Sequence, residues 1–106
     1  MIVLITGASA GIGKACAEKF ASQGYNLIIT GRRVAKLESL KTSLESTHNV
    51  QVQTLSFDIQ NNSEVDQALS SLSENWKNID VLVNNAGLAL GKESFQDANI
   101  QDFEVM

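Results

Sequence analysis

The sequence predicts an α/β chain built on a doubly wound parallel sheet, and three observations carry that expectation. Four short apolar runs, residues 2–5, 27–29, 50–55 and 79–83, recur along the 106 residues; the first two are unbroken and the last is interrupted only by Asp80, as strands buried on both faces of a parallel sheet read. Segments with helical spacing separate the runs, and such alternation lays helices on both faces of an open sheet through right-handed crossovers. Three glycines follow the first run at once, where a strand must turn sharply into a helix.

Taken in order, the first strand is Ile2-Val3-Leu4-Ile5. The helix after it is expected to turn Ile12, Ala15, Cys16 and Phe20 toward the core, and Gly24 supplies the left-handed residue that ends it. The second run leads into Thr30-Gly31-Arg32-Arg33 and then a helix with Leu37, Leu40 and Leu44 on one face, closed near His48. In the third run, Val50-Gln51-Val52-Gln53-Thr54-Leu55, apolar and polar residues alternate, so one face is wetter and the strand belongs at an edge. Asn61, Asn62 and Ser63 offer capping side chains to a helix whose stripe is Val65, Leu69, Leu72 and Trp76. After the fourth run, residues 97–106 begin another amphipathic helix with Ile100, Phe103 and Met106 on one side. No terminating signal follows it, so the sheet is expected to be truncated after its fourth strand and the start of the next helix.

Composition narrows the function. A chain of 106 residues with 43% hydrophobic side chains supports one domain, residues 1–106. Its net charge of −4 argues against nucleic acid or an anionic membrane as partner, since both are held by excess Lys and Arg. Cys16 and His48 are the only residues of their types, which excludes an intrachain disulfide and gives no metal-ligand spacing. With no leader-like segment and no membrane-length apolar run, the sequence reads as cytoplasmic.

The glycine cluster, Thr6-Gly7-Ala8-Ser9-Ala10-Gly11-Ile12-Gly13, is read as a phosphate loop. A Walker A loop needs four residues before its Gly-Lys pair and then Ser or Thr; here five residues separate Gly7 from Gly13, and Ala15 follows Lys14. The G-x-G-x-x-G fingerprint fails too, because Cys16 stands at its last position. The physics is still that of a pyrophosphate site. Gly7 allows the sharp exit from the strand, Gly11 lets backbone approach a phosphate, and Gly13 permits close packing of helix on sheet, while amides at the helix start point at the anion. At the end of the second strand, where an acid would bond a ribose 2′-hydroxyl, stand Arg32 and Arg33, suited to the 2′-phosphate of NADP.

In this combination the chain resembles the short-chain dehydrogenases/reductases, a Rossmann-type family. The resemblance lies in the glycine motif from Thr6 to Gly13, in Asp58 after the third run, and in Asn84-Asn85-Ala86-Gly87. Within that family, Gly31-Arg32-Arg33, the Leu37/Leu40/Lys41/Leu44 helix and the string from Ile79 to Gly91 are similar to the NADP-dependent 3-hydroxy acid dehydrogenases acting on serine or allo-threonine. The resemblance implies that residues 7–13 line the pyrophosphate and Arg32 and Arg33 take the 2′-phosphate. It further implies that Asp58 and Ile59 address adenine, and that Asn84, Asn85, Ala86 and Gly87 border the ribose. A small hydroxy acid or carbonyl compound would be the substrate and a homo-tetramer the assembly.

The family's catalytic Ser and Tyr-x-x-x-Lys have no counterpart, because the single tyrosine, Tyr25, has Ile29 four residues on. No catalytic residue is therefore assigned, Tyr25 is read as structural, and a chain of these residues alone is expected to be inactive and marginally stable. Two alternatives stay open: a non-enzymatic NADP-binding module, and a reductase of 3-oxoacyl or steroid carbonyls. Among the remaining residues, Cys16 and Trp76 read as packing, and Lys14 fits either a phosphate contact or a solvated first-turn lysine.

Overall fold

The four apolar runs become four parallel strands. The computed structural model describes residues 1–8, 11–57 and 62–84, apart from the side chains of Asn62 and Asn84. The strands are β1 (Ile2–Thr6), β2 (Asn26–Gly31), β3 (Val52–Ser56) and β4 (Val81–Asn84); the helices are α1 (Gly11–Ser22), α2 (Val34–Thr47) and α3 (Asn62–Ser70). The sheet order is β3-β2-β1-β4, with every pair parallel. The chain winds outward from β1 to β3, then crosses back to β4, so the direction of winding reverses between β1 and β4.

Alternate strand residues feed two cores. Val3, Ile5, Leu27, Ile29, Val52 and Val83 pack with Ala17 and Ala21 of α1 and Leu37, Leu40 and Leu44 of α2. On the other face Leu4, Ile28, Leu55 and Leu82 pack with Val65 and Leu69 of α3. Helices therefore cover both faces, and the central strands are apolar throughout because neither side of them meets water.

The core-facing side of α1 differs from the expected one. Its buried residues are Gly13, Ala17 and Ala21; Ile12 is 73% exposed, Ala15 is exposed, and Cys16 and Phe20 are only half-buried. Small residues at every fourth position let the helix backbone lie close on the sheet, and larger side chains are pushed to the flanks. The helix ends in a Schellman arrangement: the Gly24 N–H donates to Ala21 C=O at 3.0 Å and the Tyr25 N–H to Phe20 C=O at 3.2 Å, with Gly24 at φ +89°. The rings of Phe20 and Tyr25 close the motif edge to face, 5.3 Å between centroids, which gives Tyr25 the structural role expected of it.

β3 lies at an edge, as its alternation predicts, but begins at Val52; Val50 is buried in the preceding turn, where its N–H donates to His48 C=O at 2.9 Å. Gln51 C=O accepts from Leu27 N–H and Phe57 N–H donates to Gly31 C=O, so the odd-numbered backbone groups face β2 and Val52 N–H points off the sheet. Glu45 of α2 meets it, its Oε2 accepting at 3.0 Å, and one helical stretch earlier Glu38 Oε1 accepts from the Thr54 hydroxyl at 2.9 Å.

The third helix is shorter than its apolar stripe suggests. It stops at Ser70, and the Ser71 hydroxyl donates to Ala68 C=O at 2.6 Å, a local bond of the kind that competes with continued helix. Leu72 still reaches the core, but Trp76 does so from a separate 3₁₀ turn, Glu74–Trp76. β4 starts two residues later than the apolar run, with Ile79 buried ahead of it. The expected cap Asn61 and the expected helix in residues 97–106 lie outside the described residues.

Candidate functional site

The carboxyl ends of β1, β2 and β4 meet at the point where the winding reverses, and side chains hold them in register. At the far end, Asp80 Oδ2 accepts from Ile2 N–H at 2.8 Å while Asp80 N–H donates to Ile2 C=O at 2.9 Å. At the near end, the buried Thr6 hydroxyl donates to Val83 C=O at 3.3 Å. Thr6 pairs with Asn84 across the ladder, so the last residue of β4 lies beside the start of the glycine cluster. Sequence reasoning gave Thr6 a place in the motif and no task; the available signal was a hydroxyl closing an otherwise apolar buried run, which must find a partner.

The loop after β1 is built on two left-handed glycines, Gly7 at φ +64° and Gly11 at φ +61°. A side chain at either position would be strained. Between them, fully buried Ala8 donates its N–H to Thr30 C=O at 3.0 Å, tying the loop to the end of β2. A Cβ on Gly11 would meet nothing within 4 Å among the described residues, which leaves room beside that backbone for a ligand. Gly13 is buried in the close helix–sheet contact, and α1 carries no acidic residue in its first turn to repel an anion. The geometry of Gly7, Ala8, Gly11, Ile12 and Gly13 thus fits a pyrophosphate at a helix start.

At the end of β2, both Arg32 and Arg33 are exposed. Arg33 occupies the N-cap of α2 in extended conformation without a side-chain capping bond, and neither guanidinium has an ion pair among the described residues. Two free forks beside the glycine loop suit a phosphomonoester. Tyr25, by contrast, precedes β2 and so stands at the opposite end of the sheet. Ser9, Ala10, Asp58, Ile59, Asn85, Ala86 and Gly87 lie outside the described residues. Among the described residues no three His, Cys, Asp or Glu side chains could hold a metal ion together, and no helix is long and apolar enough to cross a membrane.

Comparison with known proteins agrees with this geometry. The model of the short chain dehydrogenase family matches residues 1–106. A curated relative, the NADP-dependent 3-hydroxy acid dehydrogenase YdfG of Escherichia coli O6:H1, is 46% identical over 106 residues, which are all of this chain and 41% of that protein. Among solved structures, serine dehydrogenase from Escherichia coli superposes with a TM-score of 0.71 at 46% identity, covering 86% of this chain and 40% of that one. L-sorbose reductase from Gluconobacter frateurii, complexed with NADPH and L-sorbose, gives a TM-score of 0.75 at 32% identity over 91% of this chain and 39% of its own. The chain therefore spans about two fifths of the length of the proteins it matches.

Proposed function

The chain belongs to the short-chain dehydrogenase family, and on that footing we propose that residues 1–106 form one NADP(H)-holding unit of an oxidoreductase acting on a small 3-hydroxy acid such as serine. The observation that carries the reading is the left-handed Gly11 at the start of α1 together with Arg32 and Arg33 at the end of β2, neither of them ion-paired among the described residues. The names of the similar dehydrogenases support the cofactor and the substrate class.

In this reading residues 7–13, with Ser9 and Ala10 among them, cradle the pyrophosphate through backbone amides, and Arg32 and Arg33 bond the 2′-phosphate. Asp58 and Ile59 address the adenine, and Asn84, Asn85, Ala86 and Gly87 border the adenosine ribose. The bound nicotinamide supplies the hydride chemistry. Proton exchange with substrate needs a positioned acid–base group, a contribution of roughly 10²- to 10⁴-fold. Residues 1–106 hold no Tyr-x-x-x-Lys, so the polypeptide of these residues binds cofactor without turnover. The complete enzyme would be a cytoplasmic homo-tetramer by the same reading; an unpaired Cys16 fits a reducing compartment.

Calorimetric titration with NADPH and NADH tests the proposal. NADPH is expected to bind at least about tenfold more tightly, since each charge-assisted bond to the 2′-phosphate contributes roughly 1.5–3 kcal/mol. Equal affinities would overturn the assignment of Arg32 and Arg33.

A further inference from the structure

Arg32 and Arg33 lie inside a closed ring of the fold. Ile29 of β2 pairs with Thr54 of β3 across the ladder, and the chain then runs from Ile29 through Thr30-Gly31-Arg32-Arg33 into α2. The Leu37 N–H donates to Arg33 C=O at 3.1 Å, the first bond of a helix whose N-cap is Arg33. At the next residue the ring closes, because Glu38 Oε1 accepts from the Thr54 hydroxyl at 2.9 Å. Both ends of the segment 29–38 therefore meet on one residue of the neighbouring strand.

The other contacts of α2 do less to fix its start sideways. Leu37, Leu40 and Leu44 hold the helix down on the sheet, but apolar packing is non-directional. Toward α1 the helix meets a groove of ≈ 550 Å³, with Lys14 and Glu18 opposite Lys36, Ser39 and Ser43, so that neighbour gives little lateral support there. The N-cap side chain makes no capping bond, and the second tie to β3, from Val52 N–H to Glu45 Oε2, acts about two turns further on. Upstream of the arginines, Thr30 C=O accepts from Ala8 N–H at 3.0 Å and Gly31 C=O from Phe57 N–H at 3.1 Å. Downstream, the nearest directional bond from α2 to another element, among the described residues, is the one from Thr54 to Glu38.

We propose that Glu38 is a positioning residue for recognition of the 2′-phosphate: through Thr54 it holds the turn that presents Arg32 and Arg33, and it acts without touching the ligand. This rests on the NADP(H) reading given above. Two long side chains carried on a fixed turn need less ordering when the phosphate arrives, and preorganisation of that kind appears as affinity. It appears only for a ligand that uses the arginines, so the bond favours the 2′-phosphorylated nucleotide over its unphosphorylated counterpart. The charge of Glu38 works in the opposite sense, since a carboxylate repels a phosphate dianion. Bond and charge can therefore be separated by substitution.

Calorimetry with adenosine 2′,5′-bisphosphate and adenosine 5′-monophosphate tests the proposal on the 106-residue chain and its variants. Thr54→Val removes the bond and keeps the charge, Glu38→Gln removes the charge and keeps an acceptor, and Glu38→Ala removes both. Glu38 is exposed and Thr54 only partly buried, and circular dichroism verifies the fold of each variant. Thr54→Val is expected to weaken the bisphosphate about three- to fivefold, within what one hydrogen bond contributes, and to leave the monophosphate unchanged. Glu38→Ala should bind the bisphosphate more weakly than Glu38→Gln by the same factor, and adding Thr54→Val to Glu38→Ala should weaken it no further, because both changes break one bond. Asp80→Ala, which removes a bond at the far end of the sheet, should lower stability and leave the preference intact. A Thr54→Val chain whose preference for bisphosphate stays within about twofold of the parent, or which loses both nucleotides equally, would overturn the role of Glu38. If Arg33→Ala abolishes the preference while Thr54→Val does not alter it, the NADP(H) reading stands and this inference falls. A parent chain that does not prefer the bisphosphate refutes both.

Discussion

Gly11→Ala separates the cost of a backbone conformation from the cost of a blocked ligand, because the molecule contains its own control. Gly11 and Gly24 both lie in the left-handed region, at φ +61° and +89°, and a Cβ at either would meet nothing within 4 Å. Neither substitution therefore creates a clash within the described protein, and what remains is strain. That strain is ~1–2 kcal/mol for an L-residue, offset in part by ~0.4–1 kcal/mol from the reduced freedom of the unfolded chain. Both variants should lose about 1 kcal/mol, which lowers the urea midpoint by roughly 0.5–1 M for a slope of ~1–2 kcal/mol/M.

Binding should part them. Gly24 closes α1 far from the carboxyl ends of the strands, whereas a methyl on Gly11 enters the space that the proposed pyrophosphate would occupy. Loss of one charge-assisted bond, ~1.5–3 kcal/mol, weakens NADPH at least about tenfold. Urea denaturation and calorimetry at a temperature where both variants are folded measure the two effects. Gly11→Ala and Gly24→Ala chains with equal affinity for NADPH would refute the role of Gly11, whatever their stabilities.

The other expectations concern single side chains. Arg33→Ala should weaken NADPH about tenfold or more and leave NADH nearly unchanged; equal losses, read by calorimetry, would exclude a 2′-phosphate contact. Asp80→Ala removes the acceptor of the Ile2 N–H and should cost ~1–3 kcal/mol in denaturant unfolding, with cofactor affinity retained because the bond lies at the far end of the sheet. Leu44→Ala, at a side chain 1% exposed, should cost ~2–5 kcal/mol by opening a cavity between α2 and the sheet.

The fold was legible because a two-sided parallel sheet writes unbroken apolar runs into its central strands, and residues 2–5 and 27–29 are such runs. α1 was harder to read. Its buried face is Gly13, Ala17 and Ala21, all small, so a search for bulk pointed to Ile12, which is exposed, and to Cys16 and Phe20, which are only half-buried. The Trp76 assignment failed in its geometry for another reason: an apolar stripe can continue past a helix end when serine hydroxyls bond the backbone locally, as Ser71 does. At the site, the spacing of Gly7, Gly11 and Gly13 was plain, since few functions require three glycines there. The tie between Glu38 and Thr54 was not, because the two are 16 positions apart and only the packing of α2 on β3 makes them neighbours.

The carboxylates of Glu38 and Glu45 along β3 bear on how copies of this chain can meet. An outward backbone N–H is the first bond a strand from another molecule would make in adding to a sheet. At Val52 that bond is already made, to a charged acceptor from the chain's own helix, so an incoming strand would have to displace a carboxylate and leave it beside its own carbonyl oxygens. The β3 margin is thus a poor template for intermolecular pairing. Replacing Glu45 with a residue that cannot accept a hydrogen bond would be the shortest route to a sheet that polymerises from that side.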